Sequence, residues 1–205
     1  MKLKKIASLA LAGIMAVSML AGCSNNGSSS SEPETETNPV SGAAAAINGK
    51  LDDNKGKISF TEDSAAYNML ETYFANNTIT LADAKTTETT VQMNTATEIA
   101  LADGICKMLG VEGYYFNNSS LKNTNDKENS GVEVYLLSGK LLTEDKVMEQ
   151  VAEYIDTLTF SKENSAQTMD YSYAGKVAVI KAESKGKTES AWVVAVTITQ
   201  TPADK

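Results

Sequence analysis

Two Thr-Glu-Asp triplets, Thr61 to Asp63 and Thr143 to Asp145, place adjacent carboxylates where acid/base chemistry could be sought. Both stand before segments with helical spacing. Acids in a first helical turn interact favourably with the positive end of the helix dipole, each for about 0.3 to 1 kcal/mol. We therefore read the triplets as helix starts. Asp52-Asp53, followed by Asn54, Lys55 and Gly56, reads as a solvated polar turn with no apolar surroundings to raise a carboxyl pKa. Nucleophilic chemistry lacks its usual activators, because the 18 basic residues are all Lys and the chain has neither Arg nor His. Imidazole catalysis, His metal sites and guanidinium forks are excluded. Cys106 lies on the apolar stripe of a helical segment with only Lys107 beside it, and reads as an inert buried thiol. Ser138, Ser172 and the other serines could use only a Ser-Lys arrangement, and no pair is singled out.

Two constellations remain as candidate binding features. Asp145, Glu149, Glu153 and Asp156 recur at helical intervals and form one acidic stripe, whose like-charge pairs are mildly unfavourable unless a cation or a basic partner meets them. Calcium is the only metal such oxygen ligands suit, and a linear row makes no cage, so no metal site is assigned. The oxygen-rich stretch from Asn123 to Gly131 is interrupted by Lys127 and reads as a loop. Tyr114, Tyr115 and Phe116 form an aromatic run followed by Asn117, Asn118, Ser119 and Ser120, while Tyr171 and Tyr173 share a strand face. Aromatic faces beside such polar groups suit the stacking of a ligand or a sugar ring, with core packing as the alternative.

The elements that must position these residues are legible from periodicity. One helix follows Thr61 to Asp63, with Ala66, Met69, Leu70, Tyr73 and Phe74 at helical intervals and Asn76-Asn77 at its close. Thr95 with Glu98 matches a capping box ahead of a stripe of Ile99, Ala102, Cys106 and Leu109, ending at Gly110. The third helix begins at Thr143 and carries Val147, Val151, Tyr154, Ile155 and Leu158 on one side. Ala191 to Thr199 is apolar on both faces and should be a central strand, paired with Tyr171 to Ala182 in a long hairpin through Lys185-Gly186-Lys187. Gly131 to Leu137 and Val111 to Phe116 are further strands, with weaker signals at Ile79 to Leu81 and Thr89 to Met93. The expectation is an α+β fold of about three helices packed on a mostly antiparallel sheet of four to five strands. Val134-Tyr135-Leu136, Gly139 and the helix after them resemble in part the BON type of envelope domain, which binds phospholipid or periplasmic partners. The spacing is one residue off and the later strands differ, so no family is assigned to the globular domain.

The N-terminus carries an address. Basic Lys2, Lys4 and Lys5 precede an apolar run from Ile6 to Leu20 and then small residues, the layout of a secretory signal peptide and too short for a comfortable membrane span. Leu20-Ala21-Gly22-Cys23 resembles the lipobox of bacterial lipoproteins. That resemblance implies removal of residues 1 to 22 and a lipidated Cys23 as the first mature residue. Two or three acyl chains would hold such a protein durably, at about 0.8 kcal/mol per buried methylene. Residues 23 to 45, rich in Ser, Asn and Glu with Pro33 and Pro39, read as a disordered spacer reaching about 25 Å. Residues 46 to 205 then form a single globular domain. Loss of residues 1 to 22 removes three Lys and no acid, taking the formal charge from -8 to -11.

An acidic body disfavours nucleic acid and anionic lipid as electrostatic partners. The sequence therefore points to a lipid-anchored, extracytoplasmic module at the cell membrane, tethered through Cys23 and holding an envelope ligand or glycan without catalysis. No cofactor is implied. The alternatives are an envelope assembly accessory that binds a protein through the acidic helix face, and then an enzyme using carboxylates or a Ser-Lys pair.

Overall fold

Apolar runs of Val, Ala and Ile that fill both faces of two strands in the last 40 or so residues give the molecule its central hairpin. The computed structural model describes residues 42–76, 91, 96–110, 126–184 and 187–205. Their elements, in chain order, are α1 (Ala43–Lys50), β1 (Ile58–Glu62), α2 (Ser64–Asn76), α3 (Ala96–Leu109), β2 (Asn129–Ser138), α4 (Glu144–Asp156), β3 (Met169–Glu183) and β4 (Ser190–Asp204). The fold is α+β. Its sheet has the order β1-β3-β4-β2, antiparallel except that β1 runs parallel to β3. As its two-sided apolar pattern required, β4 is an inner strand.

Alternation along the strands splits the apolar side chains into two cores, one on each face of the sheet. Tyr135, Leu137, Val194, Val196, Ile198 and Val177 pack with Ile47 of α1 and Val147, Val151 and Ile155 of α4. Their neighbours Val132, Val134, Leu136, Val193 and Ala195 pack with Leu70 of α2 and Leu101 and Ile105 of α3. Every residue of β2 from Gly131 to Ser138 is buried.

Several local expectations shift once tertiary contacts are present. The domain start expected at residue 46 falls inside α1, whose Ala43 and Ala44 are core residues. Thr61 and Glu62 end the short strand β1, and only Asp63 caps α2, its Oδ1 accepting from the Ala66 amide at 3.0 Å. Thr143 caps α4 as its sequence suggested, accepting from the Lys146 amide. On α3 the buried stripe is Leu101, Ala102, Ile105 and Cys106, while Ile99 is exposed. Glu98 is buried there and accepts the Leu136 amide of β2 at 2.7 Å, a bond across elements, while its capping-box partner Thr95 lies outside the described residues. The strands expected at Ile79 to Leu81, Thr89 to Met93 and Val111 to Phe116 lie outside the described residues, apart from Val91.

Candidate functional site

Backbone groups of a strand point alternately to its two sides, so every outward-facing residue of β3 needs a partner beyond the sheet pairing with β4. Ser184 donates to Glu189 across the hairpin, and the Val177 carbonyl accepts from the Asp63 amide at 2.8 Å on the opposite side. Even-numbered residues of β3 thus face β4, and odd-numbered residues face outward. At the start of the strand Met169 and Tyr171 bond to Asn164 and Lys162. Tyr173 to Val177 are covered by β1. At Asp63 the chain leaves the sheet as α2, and from Val179 to Glu183 no described strand lies alongside β3.

A cleft of about 840 Å³ occupies that position. Tyr67, Glu71 and Phe74 of α2 form one wall, Glu144 at the head of α4 and Trp192 of β4 contribute from the other face, and β3 from Val179 to Glu183 is the floor. The Lys181 ammonium lies 5.0 Å from the Trp192 ring centroid, and the indole N–H donates to the Leu142 carbonyl at 3.0 Å, fixing the ring. The Tyr67 hydroxyl donates to Glu71 at 2.6 Å, and this bond to a carboxylate raises the phenol's pKa. Three carboxylates, Glu71, Glu144 and Glu183, line the cleft with the one lining cation Lys181, and Glu183 is paired with Lys187 at 3.6 Å. At the head of α2, and not lining the cleft, Asp63 has a buried Oδ2 with no hydrogen-bond partner among the described residues.

The residues singled out from sequence are disposed differently. Tyr114, Tyr115 and Phe116 lie outside the described residues. Tyr171 is buried, and Tyr173 is half-buried with its ring edge-on to Phe160 at 4.8 Å. The Tyr173 hydroxyl donates to the Ser161 carbonyl and accepts from Gln200, so this ring is engaged within the domain. In the acidic row, Asp145 pairs with Lys50 at 3.0 Å and Glu149 with Lys146 at 2.7 Å, while Glu153 accepts from Gln150. Asp156 accepts the backbone amides of Asp52 and Asn54, both at 2.9 Å. The repulsion expected along this row is relieved internally by Lys50 and Lys146. Cys106 is buried and forms no disulfide among the described residues, which also contain no cluster of three metal-ligating side chains.

Sequence reasoning passed over Tyr67, Phe74, Lys181 and Trp192 as a group. The hairpin register alone would have paired Lys181 with Trp192. The shortness of β1, which creates the opening, had no such signal. The chain matches no protein-family model, no curated protein and no solved structure.

A second polar cluster is enclosed. Glu133 is buried in β2 and accepts from the hydroxyls of Tyr135 and, at 3.4 Å, Tyr154. Burial first, and the Glu133 charge second, raise the pKa of both phenols. The two rings meet edge-on at 5.7 Å. This arrangement keeps both phenols protonated and orients the carboxylate, which suits a structural role inside the first core.

Proposed function

We propose that the chain is a lipid-anchored, extracytoplasmic interaction module of the bacterial envelope that holds its ligand in the cleft beside β3 and performs no chemistry on it. The observation that carries the binding assignment is the cleft itself, where the aromatic rings of Tyr67, Phe74 and Trp192 stand among carboxylates beside a stretch of β3 that no described strand covers. The lipobox-like Leu20 to Cys23 supports the location, and the lack of His and Arg supports binding without catalysis. No helix among the described residues is long and apolar enough to cross a membrane, so a tether at Cys23 would be what retains the domain. Docking through the acidic face of α4 has less support, because Lys50, Lys146 and the Asp52 and Asn54 amides already meet it.

Two measurements test the two halves of the assignment. The Cys23→Ala chain, expressed in a bacterial host, should lose lipid labelling and move from the membrane fraction to the soluble extracytoplasmic fraction. Continued membrane retention would overturn the anchor. Trp192 is the only tryptophan, so its fluorescence reports directly on the cleft. Titration with glycan fragments and with peptides should give a saturable change that Tyr67→Ala weakens, and no response to any of them would overturn the binding site.

A further inference from the structure

We propose that the cleft takes an extended, basic polypeptide segment, which adds to β3 as a further strand along Val179, Lys181 and Glu183. This deepens the binding assignment above and rests on it. The argument begins with the treatment of the other sheet edges. On the outer side of β1, the Asn48 carboxamide accepts from the Phe60 amide at 2.8 Å and donates to the Phe60 carbonyl at 2.9 Å, taking the place of a neighbouring strand. The Glu62 carboxylate is turned to the Ala44 amide at the head of α1. On β2, α3 packs against a strand buried from Gly131 to Ser138 and Glu98 takes the Leu136 amide. The first half of β3 is covered by the 162–164 segment and then by β1.

Val179 to Glu183 differs in every respect. Its outward amides and carbonyls have no hydrogen-bond partner among the described residues, Lys181 and Glu183 are exposed, and a cleft rather than a helix lies against them. An open row of alternating donors and acceptors is complementary to one kind of ligand, another extended backbone. A glycan, even one whose sugars bear acetamido groups, has no continuous extended backbone of alternating amide donors and acceptors.

The side chains indicate what that backbone should carry. A strand added here alternates its side chains between the two faces of the sheet. On one face they would meet Tyr67, Glu71 and Phe74, and on the other Glu144 and Trp192. Glu183 is paired with Lys187 at 3.6 Å, and the remaining lining carboxylates, Glu71 and Glu144, outnumber the one lining cation, Lys181. Apolar residues would fit the rings and Lys or Arg the carboxylates. An acidic segment would be repelled.

The test uses the chain from residue 23 onward in detergent, with Trp192 fluorescence as the readout. The probe is a short synthetic peptide alternating Lys and Val, beside the same peptide N-methylated at alternate residues and one in which Glu replaces Lys. N-methylation keeps every side chain and removes the amides that a strand pairing needs. The parent peptide should bind saturably, and both the methylated and the acidic peptides should bind at least about tenfold more weakly, the loss expected from one or two hydrogen bonds or charge contacts. Lys181→Pro deletes one outward amide without touching the pairing with β4 and should weaken the parent peptide to a similar degree. Lys181→Ala keeps the amide, removes a like charge and should bind as well or better. If Lys181→Pro does not fold, the methylated peptide on the unmodified chain decides alone. Equal binding of the parent and methylated peptides would overturn strand addition. Binding of peptidoglycan fragments with no response to any peptide would overturn it too, while leaving the cleft as a binding site. Silence toward every ligand would remove both.

Discussion

Asn54 is the residue whose replacement should be felt furthest beyond its own loop. It is 1% exposed, and its side-chain amide donates to the carbonyls of Ile155 at 2.8 Å and Leu158 at 2.9 Å. The last carbonyls of a helix have no partner within the helix, so Asn54 closes the C-terminal end of α4 from a loop a hundred residues earlier in the chain. Asn54→Ala deletes both bonds, leaving the Leu158 carbonyl without a donor among the described residues and the Ile155 carbonyl with only the backbone amides at the helix end, both in a buried setting. At about 1 kcal/mol for each bond lost, with part of the desolvation penalty added, the cost is about 2 to 4 kcal/mol. For a domain of this size that corresponds to a fall in Tm of roughly 6 to 12 °C. Urea denaturation with an unchanged slope would measure it. Asn54→Asp sharpens the test, since an ionised carboxylate cannot donate and would face two carbonyls. Its pKa in the folded state would rise above the ordinary Asp value of about 3.9. Because the folded state would then hold the proton more tightly than the unfolded chain, the variant's deficit should grow as pH rises from that value and shrink on acidification. A loss below about 1 kcal/mol for Asn54→Ala would refute the reasoning, because it would mean that the two side-chain bonds contribute little to closing the helix end.

Two further predictions follow from the packing and from the tyrosines. The Phe60 ring lies directly over Gly175, its partner in the β1–β3 pairing, so a methyl group there would collide with a buried ring. Gly175→Ala should cost about 1 to 3 kcal/mol, and Phe60→Leu should recover part of that loss; additive losses in the double variant would refute the contact. The phenols of Tyr135 and Tyr154 have pKa values raised above the ordinary 10.0, by burial and then by Glu133. The folded state therefore binds their protons more tightly than the unfolded chain does, and stability present below pH 10 should be lost as pH rises above it. Urea midpoints and tyrosinate absorbance should change together there, with a shallower slope in Tyr135→Phe. Ionisation of both phenols near the ordinary value in folded protein would contradict the cluster.

What could be read from the residues alone was whatever depends on near neighbours. The α4 helix from Glu144, its Thr143 cap and the long hairpin through Lys185 are local patterns, in which period and turn chemistry agree. The α+β class follows from their order. The lipobox-like motif is likewise a contiguous signal. Residues that act across long separations were not legible. Asn54 looked like part of a solvated turn and Asp156 like one of four exposed acids, yet each bonds backbone groups 101 to 104 residues away in sequence, and Glu98, read as a capping residue, also takes the Leu136 amide 38 residues on. The same holds for α1, whose alanines resemble spacer until they meet the sheet. Tyr171 and Tyr173 carried the composition of a stacking surface, but whether a ring is open to a ligand depends on what the fold lays over it, here the 160–164 segment. The cleft depends on a length mismatch: β1 stops at Glu62 while β3 continues to Glu183. No residue encodes that mismatch by itself, because an unpaired edge is a property of two strands and exists only once they are side by side.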